Sequence, residues 1–311
     1  MPELSFVSPV YRCRDCLEKL VEEIAAVCER INVTYEVILV NDGCPENSWE
    51  EILRIARANP LVKGVKLSRN FGQHSAIEAG LNAASGEWVI VLDCDLQDHP
   101  STAEELWRVA KEGSDVVLVR RISRSDGIVR AALSTAFYKT LSFLTGTKLS
   151  PEIANFGIYH RRVIEAYISW KEEQKYFPVM IQWLGFAQKT IDAPQSPRFA
   201  GTSAYNFRSL LKLGAQIVLS FSDRPLWIMA FAGAFVAGVA LLASFVYFVR
   251  ALLGETDVMG WTSLILSIWF LGGVNVLVGG LLGIYLGRAL REAKGRPSFI
   301  VSGTVNLERR S

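Results

Sequence analysis

Trp88-Val89-Ile90-Val91-Leu92-Asp93-Cys94-Asp95-Leu96-Gln97-Asp98 is the stretch from which the fold is read. Its apolar run does not alternate, as expected of a parallel strand buried on both faces. It stops abruptly at Asp93, Asp95 and Asp98. Open α/β sheets take their ligands beyond the carboxyl ends of the strands, where these carboxylates fall. Asp93 and Asp95 are two apart, so a regular strand would turn both to one face. Hard oxygen donors gathered there suit Mg²⁺ or Mn²⁺ carrying substrate phosphates. The residues alone also allow a polar strand-to-helix turn, with Asp98 or Ser101 capping the next helix.

Around this stretch the chain alternates strand and helix patterns. Strands are predicted at Leu4–Val10, Tyr35–Val40, Val62–Leu67, Trp88–Leu92 and Asp115–Val119. Helices are predicted at Cys16–Arg30, Ser48–Ala58, His74–Ala84 and Ala103–Lys111. This rhythm implies an α/β fold with a mainly parallel sheet covered on both faces. Residues 120–222 are less regular: a basic patch (Arg120, Arg121, Arg124, Arg130), a helix-like stretch Ala131–Leu144, and an amphipathic segment Tyr205–Phe221. The last fits a helix lying at a membrane surface, although an ordinary helix packed on the sheet would read the same way.

Half of the 311 residues are hydrophobic, and the excess sits after residue 225. Leu226–Val249 and Trp261–Gly287 are uncharged over 24 and 27 residues. At helical rise the shorter run spans about 36 Å, enough to cross a hydrocarbon core. Arg208, Lys212 and Arg224 precede the pair, and Arg288, Arg291, Lys294 and Arg296 follow it. Positive flanks predict a plasma-membrane hairpin with both termini cytoplasmic. The expected boundaries are a catalytic domain at 1–204, an interfacial helix at 205–224, spans at 225–250 and 261–287, and a tail at 288–311. A formal net charge of +2 says little about partners, and no nucleic-acid partner is expected.

Five cysteines, all within the first third, do not form a disulfide pattern, and Cys13-x-x-Cys16 has no second pair at zinc-finger spacing. Reduced thiols are therefore expected. Met1–Tyr11 leads straight into a strand-like segment, so no secretory signal is expected.

Two further polar loops end predicted strands: Asn41-Asp42-Gly43, and Ser68-Arg69-Asn70-Phe71-Gly72-Gln73. A turn built on Asp-Gly is common on its own, but three such loops in succession converge on one rim. No Gly-rich phosphate loop of the Walker or dinucleotide type is present, which argues against kinase, ATPase and dehydrogenase chemistry.

Pro9-Val10-Tyr11, Val40-Asn41-Asp42-Gly43, Arg69-Asn70-Phe71-Gly72 and Asp93-Cys94-Asp95-Leu96-Gln97-Asp98 together resemble glycosyltransferase family two, of GT-A fold. With Gly201-Thr202-Ser203-Ala204-Tyr205 and the two apolar runs, residues 4–300 resemble the polyisoprenyl-phosphate glycosyltransferases. That group includes dolichyl-phosphate mannose synthase and bacterial undecaprenyl-phosphate glucosyltransferases. The resemblance implies inverting transfer of a sugar, UDP-glucose being the first choice of donor, to a polyprenyl phosphate. It implies donor contacts from Pro9, Tyr11, Asp42, Gln73 and Asp93, and a divalent ion on Asp93, Asp95 and Gln97. Asp95, Arg120 and Arg130 are its catalytic set, with Arg120 and Arg130 on the acceptor phosphate, a role suited to the guanidinium fork. A homotetramer occurs in some relatives, and Pro297–Val301 is strand-like. Two departures bear on the donor: Arg12-Cys13 stands where the family often has Asn-Glu, and Ala204 where many relatives carry Lys. The competing readings are a non-catalytic membrane scaffold and a processive polysaccharide synthase. The latter usually carries Gln-x-x-Arg-Trp, to which Gln182-Trp183 is the nearest approach here.

Overall fold

The structure is a computed structural model that describes residues 1–122, 153–170, 176–194, 260–307 and part of 226–253. Arg130, the stretch 131–144, the Gly201–Tyr205 motif and the segment 205–224 lie outside the described residues. Those described fall into two compact units. One holds residues 1–122, 153–170, 176–194 and 297–307; the other holds the described apolar helical residues up to residue 296.

The first unit is an eight-stranded sheet. Its strands are β1 (Leu4–Val10), β2 (Tyr35–Asn41), β3 (Val62–Leu67), β4 (Trp88–Val91), β5 (Val116–Ile122), β6 (Ile153–His160), β7 (Gln188–Pro194) and β8 (Val301–Val305). Their spatial order is β7-β5-β6-β4-β1-β2-β3-β8. Strands β1 to β4 are mutually parallel and β7 runs parallel to β5. Only β6 and β8 run against their neighbours. The mainly parallel sheet expected from the apolar runs is what forms.

Helices α1 (Leu17–Ile31), α2 (Ser48–Ala58) and α4 (Thr102–Lys111) cover one face. Their apolar stripes, such as Leu17, Leu20, Ile24 and Val27 of α1, meet Leu4, Phe6, Val37, Leu39 and Ile90 in one core. Emptying such a position, as in Phe6→Ala, costs about 3–5 kcal/mol. Helices α3 (Gln73–Ala83), α5 (Arg161–Ser169) and α6 (Phe177–Trp183) lie on the other face. There α3 approaches so closely that a Cβ on Gly80 would stand 2.3 Å from Val7. Only glycine allows that spacing.

At the amino ends of the strands, away from the loops of interest, a buried carboxylate ties three strands together. Glu36 Oε1 accepts from Ser5 Oγ at 2.5 Å and from Ser85 N at 2.6 Å, and Oε2 is paired with Lys63 Nζ. Burial alone would raise its pKa. The bonds from Lys63, Ser5 and Ser85 outweigh burial and hold the group below its ordinary value.

Helix α7 (Trp261–Ala293) forms most of the described second unit and runs past the expected end at Gly287. Its segment Phe270–Ala293 is 24 residues long with mean hydropathy 1.8, and none of its apolar window is buried. It is the one helix among the described residues long and apolar enough to cross a membrane. The described positions between 226 and 249 are also helical, and Phe231, Phe235, Leu242 and Phe245 are exposed among them. Beyond α7 the chain rejoins the sheet. Strand β8 pairs with β3, Ser68 N donates to Ile300 O at 2.9 Å, and Asn306 Nδ2 donates to Ala56 O and Val62 O at 2.7 and 2.9 Å. The strand thus begins where the strand-like expectation at Pro297–Val301 ended.

Candidate active site

The loops after β1, β2, β3 and β4 meet at the carboxyl edge of the sheet. Strand β2 ends in Asn41, and Asp42 behind it is 3% exposed. Its carboxylate bridges to the loop after β3: Oδ1 accepts from Phe71 N at 2.7 Å and Oδ2 from Gly72 N at 3.0 Å. Burial raises the Asp42 pKa, and the two amides and the Arg69 charge offset only part of that. Gly43 then turns the chain with φ +61°, and a Cβ there would lie 2.4 Å from Asn70 N. Both the left-handed turn and the close approach require glycine.

The bridged loop leads into α3, whose first residue reaches the next strand end. Gln73 Nε2 donates to Asp93 Oδ1 at 2.7 Å. Asp42, Gln73 and Asp93 therefore form a relay across three strand ends. Beside them His74 Nδ1 is buried with no hydrogen-bond partner among the described residues, its ring meets Tyr176 edge-on with centres 4.3 Å apart, and part of the residue stays open. Burial pushes its pKa down to about 4, so the imidazole is neutral near pH 7.

Strand β4 stops at Val91, one residue before the expected end, and Leu92 N closes its ladder on Val7 O at 3.1 Å. The rule that residues two apart share a face does not govern Asp93 and Asp95, because they lie on a turn. Leu96 is left-handed (φ 58°), and Asp95 Oδ1 accepts from Gln97 N at 3.1 Å within the turn. Asp98 is buried and stands three residues ahead of Ser101, the N-cap of α4, so it is not the cap; Ser101 makes no side-chain cap bond. Asp95 is also sensed across the site: after burial, its charge is the next cause raising the Cys16 pKa.

Pro9 ends up buried in β1, where the chain of β4 has already turned away and a missing N–H breaks no ladder. Tyr11 is 42% exposed, with the Arg12 guanidinium 5.5 Å from its ring centre. The expectation of reduced thiols is corrected at this place, because Cys13 is disulfide-bonded to Cys94. Spacing could not reveal a pair 81 residues apart whose sulfurs meet only when the loops after β1 and β4 converge.

Arg120 lies near the end of β5, two strands from β4 across β6, or about 10 Å at ordinary strand spacing. It forms a two-pronged pair with Asp192 of β7, Nε to Oδ1 at 2.6 Å and Nη2 to Oδ2 at 2.7 Å. The bond from Arg120 lowers the Asp192 pKa. Asp192 was not anticipated; a single acid in an exposed edge strand carries no sequence signal. The arrangement thus brings Asp42, Gln73, Asp93 and Asp95 to one rim and sets Arg120 further along it.

Residues 5–168 match the sequence model of the family described as Glycosyl transferase family 2. The chain is 35% identical over 308 residues to an uncharacterized glycosyltransferase of Synechocystis, covering 98% of this chain and 96% of that protein. It is 31% identical over 300 residues to the prophage-derived bactoprenol glucosyl transferase of Shigella flexneri, with 96% and 97% coverage. It is 31% identical over 309 residues to the undecaprenyl-phosphate 4-deoxy-4-formamido-L-arabinose transferase of Photorhabdus laumondii, with 97% and 94% coverage. Among solved structures, glucosyl-3-phosphoglycerate synthase of Mycobacterium tuberculosis, in complex with Mn²⁺, UDP and phosphoglyceric acid, superposes with a TM-score of 0.51 at 18% identity. That match covers 70% of this chain and 76% of the synthase, and the likeness is one of fold.

Proposed function

This chain belongs to glycosyl transferase family 2, and from that premise we propose that it transfers a sugar from a nucleotide-diphosphate donor to a polyprenyl phosphate at the cytosolic face of a membrane. The observation that carries the reading is the relay from Asp42 through the Phe71–Gly72 amides and Gln73 to Asp93, beside Asp95. It gathers oxygen donors where a sheet of this kind takes its ligand. The relatives that act on bactoprenol and undecaprenyl phosphate support a lipid phosphate acceptor. So does an exposed apolar helix in the same chain.

The donor set at the turn fits a hard divalent cation, Mg²⁺ or Mn²⁺. Among the described residues no three acidic, His or Cys side chains cluster as a closed metal cage. Two carboxylates, Asp93 and Asp95, with the Gln97 amide are instead the partial set used by an ion that completes its shell with substrate phosphates. Asp93, Asp95 and Gln97 would hold such an ion, which would supply charge neutralisation for the departing diphosphate. Gln73 fixes one oxygen of Asp93, so that carboxylate meets its ligand already oriented. Tyr11 and Asp42 border the place for the nucleobase and ribose, with Pro9 behind them.

The lipid phosphate is already anionic near neutral pH and needs little help from a general base. Its oxygen attacks the anomeric carbon from the face opposite the diphosphate, the bond to the diphosphate breaks, and configuration inverts. Arg120 and Arg130 receive the lipid phosphate. For Arg120 this means exchanging the Asp192 carboxylate for phosphate oxygens, which present a similar fork. Two apolar helices form the hairpin that keeps the site at the membrane, with both termini cytosolic.

UDP-glucose is the proposed donor, following the glucosyl relative. Membranes holding the chain, given radiolabelled UDP-, GDP- and dTDP-sugars in turn, test it. Label from UDP-glucose in a butanol-extractable, acid-labile lipid is expected. Label in a polysaccharide would favour a processive synthase, and no transfer from any donor would favour a scaffold.

A further inference from the structure

We propose that the Cys13–Cys94 disulfide is a redox-sensitive clasp on the donor site, holding the Asp93–Asp95 turn in place when oxidised and releasing it when a dithiol reduces it. The proposal rests on the reading of Asp93 and Asp95 as donor-diphosphate residues. Cys94 is the middle residue of that turn, and Cys13 belongs to the loop after β1. The ladder between β1 and β4 ends at the bond from Leu92 to Val7, so the bonded cysteines lie where the two chains have already parted. Their Cα atoms are 6.4 Å apart, a span a disulfide bridges without backbone movement.

The backbone on both sides of the bond is held in a disfavoured form. Arg12, next to Cys13, has φ 56°, and Leu96, two residues after Cys94, has φ 58°. Residues with a Cβ avoid this region, and a γ-branched leucine has no local polar bond to compensate. Such conformers persist where their surroundings over-determine them. Cys13, Cys94 and Leu96 are each 6% exposed, so the bond and the strained leucine are packed into one core. Without the covalent tether the Cys13 loop no longer holds the turn at this spacing. Reduction therefore lets Arg12 and Leu96 relax, and Cys94 carries both flanking carboxylates with it.

The chemistry balances with a dithiol as reductant. One thiolate attacks a cysteine sulfur, the protein S–S bond breaks, and a mixed disulfide and one free cysteine result. The second thiol closes its own ring and frees the other cysteine. Two electrons pass to the protein and two protons settle on its sulfurs. Access comes through the loop itself, since Tyr11, Arg12, Arg14 and Asp15 around Cys13 are exposed. In reducing compartments a disulfide of this kind is characteristically transient and redox-sensing.

The full chain in nanodiscs, prepared with and without a dithiol, tests the clasp. Three readouts are compared: the count of thiols titrated after acid quench and unfolding in denaturant, hydrogen exchange over residues 92–98, and binding of UDP with Mn²⁺. Oxidised protein is expected to show three thiols, slow exchange at the turn, and UDP affinity about tenfold higher than the reduced form. Cys13→Ser should behave as reduced protein in both conditions, and the double variant Cys13→Ala, Cys94→Ala should match it. Five titratable thiols in protein kept under mild oxidant would overturn the proposal. Equal exchange and equal affinity in the two redox states would overturn it too, while leaving the function reading intact. Exchange that responds to redox with no UDP binding in either state would support the clasp and sink the donor reading instead.

Discussion

Asp42 illustrates how one carboxylate organises a candidate site through the loops around it. It holds two amides of a loop 29 and 30 residues away. Two hydrogen bonds to a charged group, at about 1.5–3 kcal/mol each, sum to about 3–6 kcal/mol, and burial of the carboxylate offsets part of that, so Asp42→Ala should lower stability in chemical denaturation by up to about that much. Because that loop carries Gln73, donor KM should rise as well. Gly43→Ala tests the same loop from its other side. A left-handed alanine costs about 1–2 kcal/mol, and the clash with Asn70 should lower transfer more than stability. Asp42 and Asp93 were legible in the sequence as polar residues at strand ends. That Asp42 grips the 71–72 amides was not legible, because it depends on two loops meeting in space. Arg120 shows the same limit: its residue type suggested phosphate, but its partner Asp192 is 72 residues away on an unremarkable edge strand.

At the scale of elements, the central strands were readable because burial on both faces makes them continuous apolar runs, as in Val37–Val40 and Trp88–Leu92. Strands β6 and β7 were not, since one is antiparallel and the other an exposed edge with only Ile191 and Ala193 turned inward. Strand β8 is a five-residue Val-Ser-Gly-Thr-Val segment that gains meaning only beside β3. Asn306→Ala removes the donor to two carbonyls and should destabilise the α/β unit by about 1–3 kcal/mol, read by thermal unfolding. The buried Glu36 cluster gives the sheet a pH dependence of known sign. Its folded pKa lies below the ordinary 4.5, so its stabilisation is full above that pH and is lost as pH falls through the folded value. His74 has a folded pKa of about 4 against an ordinary 6.5, so stability it lends is full above 6.5 and drains as pH falls toward 4. Wild type and Glu36→Gln should therefore converge in Tm as pH falls through the lowered folded pKa, and His74→Gln should flatten the slope between 6.5 and 4.

For the whole molecule, the exposed helix α7 is followed in the chain by β8, which pairs at the edge of the sheet. Segment Phe270–Ala293 with none of its apolar window buried needs a nonpolar surrounding, so the full chain should sediment with membranes and resist carbonate extraction. Of the two apolar runs read from composition, Trp261–Gly287 lies within α7, while much of Leu226–Val249 lies outside the described residues. The proposed acceptor comes only from resemblance, since a lipid phosphate leaves no mark on spacing or periodicity. The central claim is metal-assisted sugar transfer to that lipid, and Asp95→Ala tests it most directly. Membranes bearing wild type, given radiolabelled UDP-glucose, Mn²⁺ and polyprenyl phosphate, should yield labelled lipid, whereas Asp95→Ala should insert equally and fall by about a thousandfold. An Asp95→Ala variant that labels lipid at the wild-type rate would contradict the account.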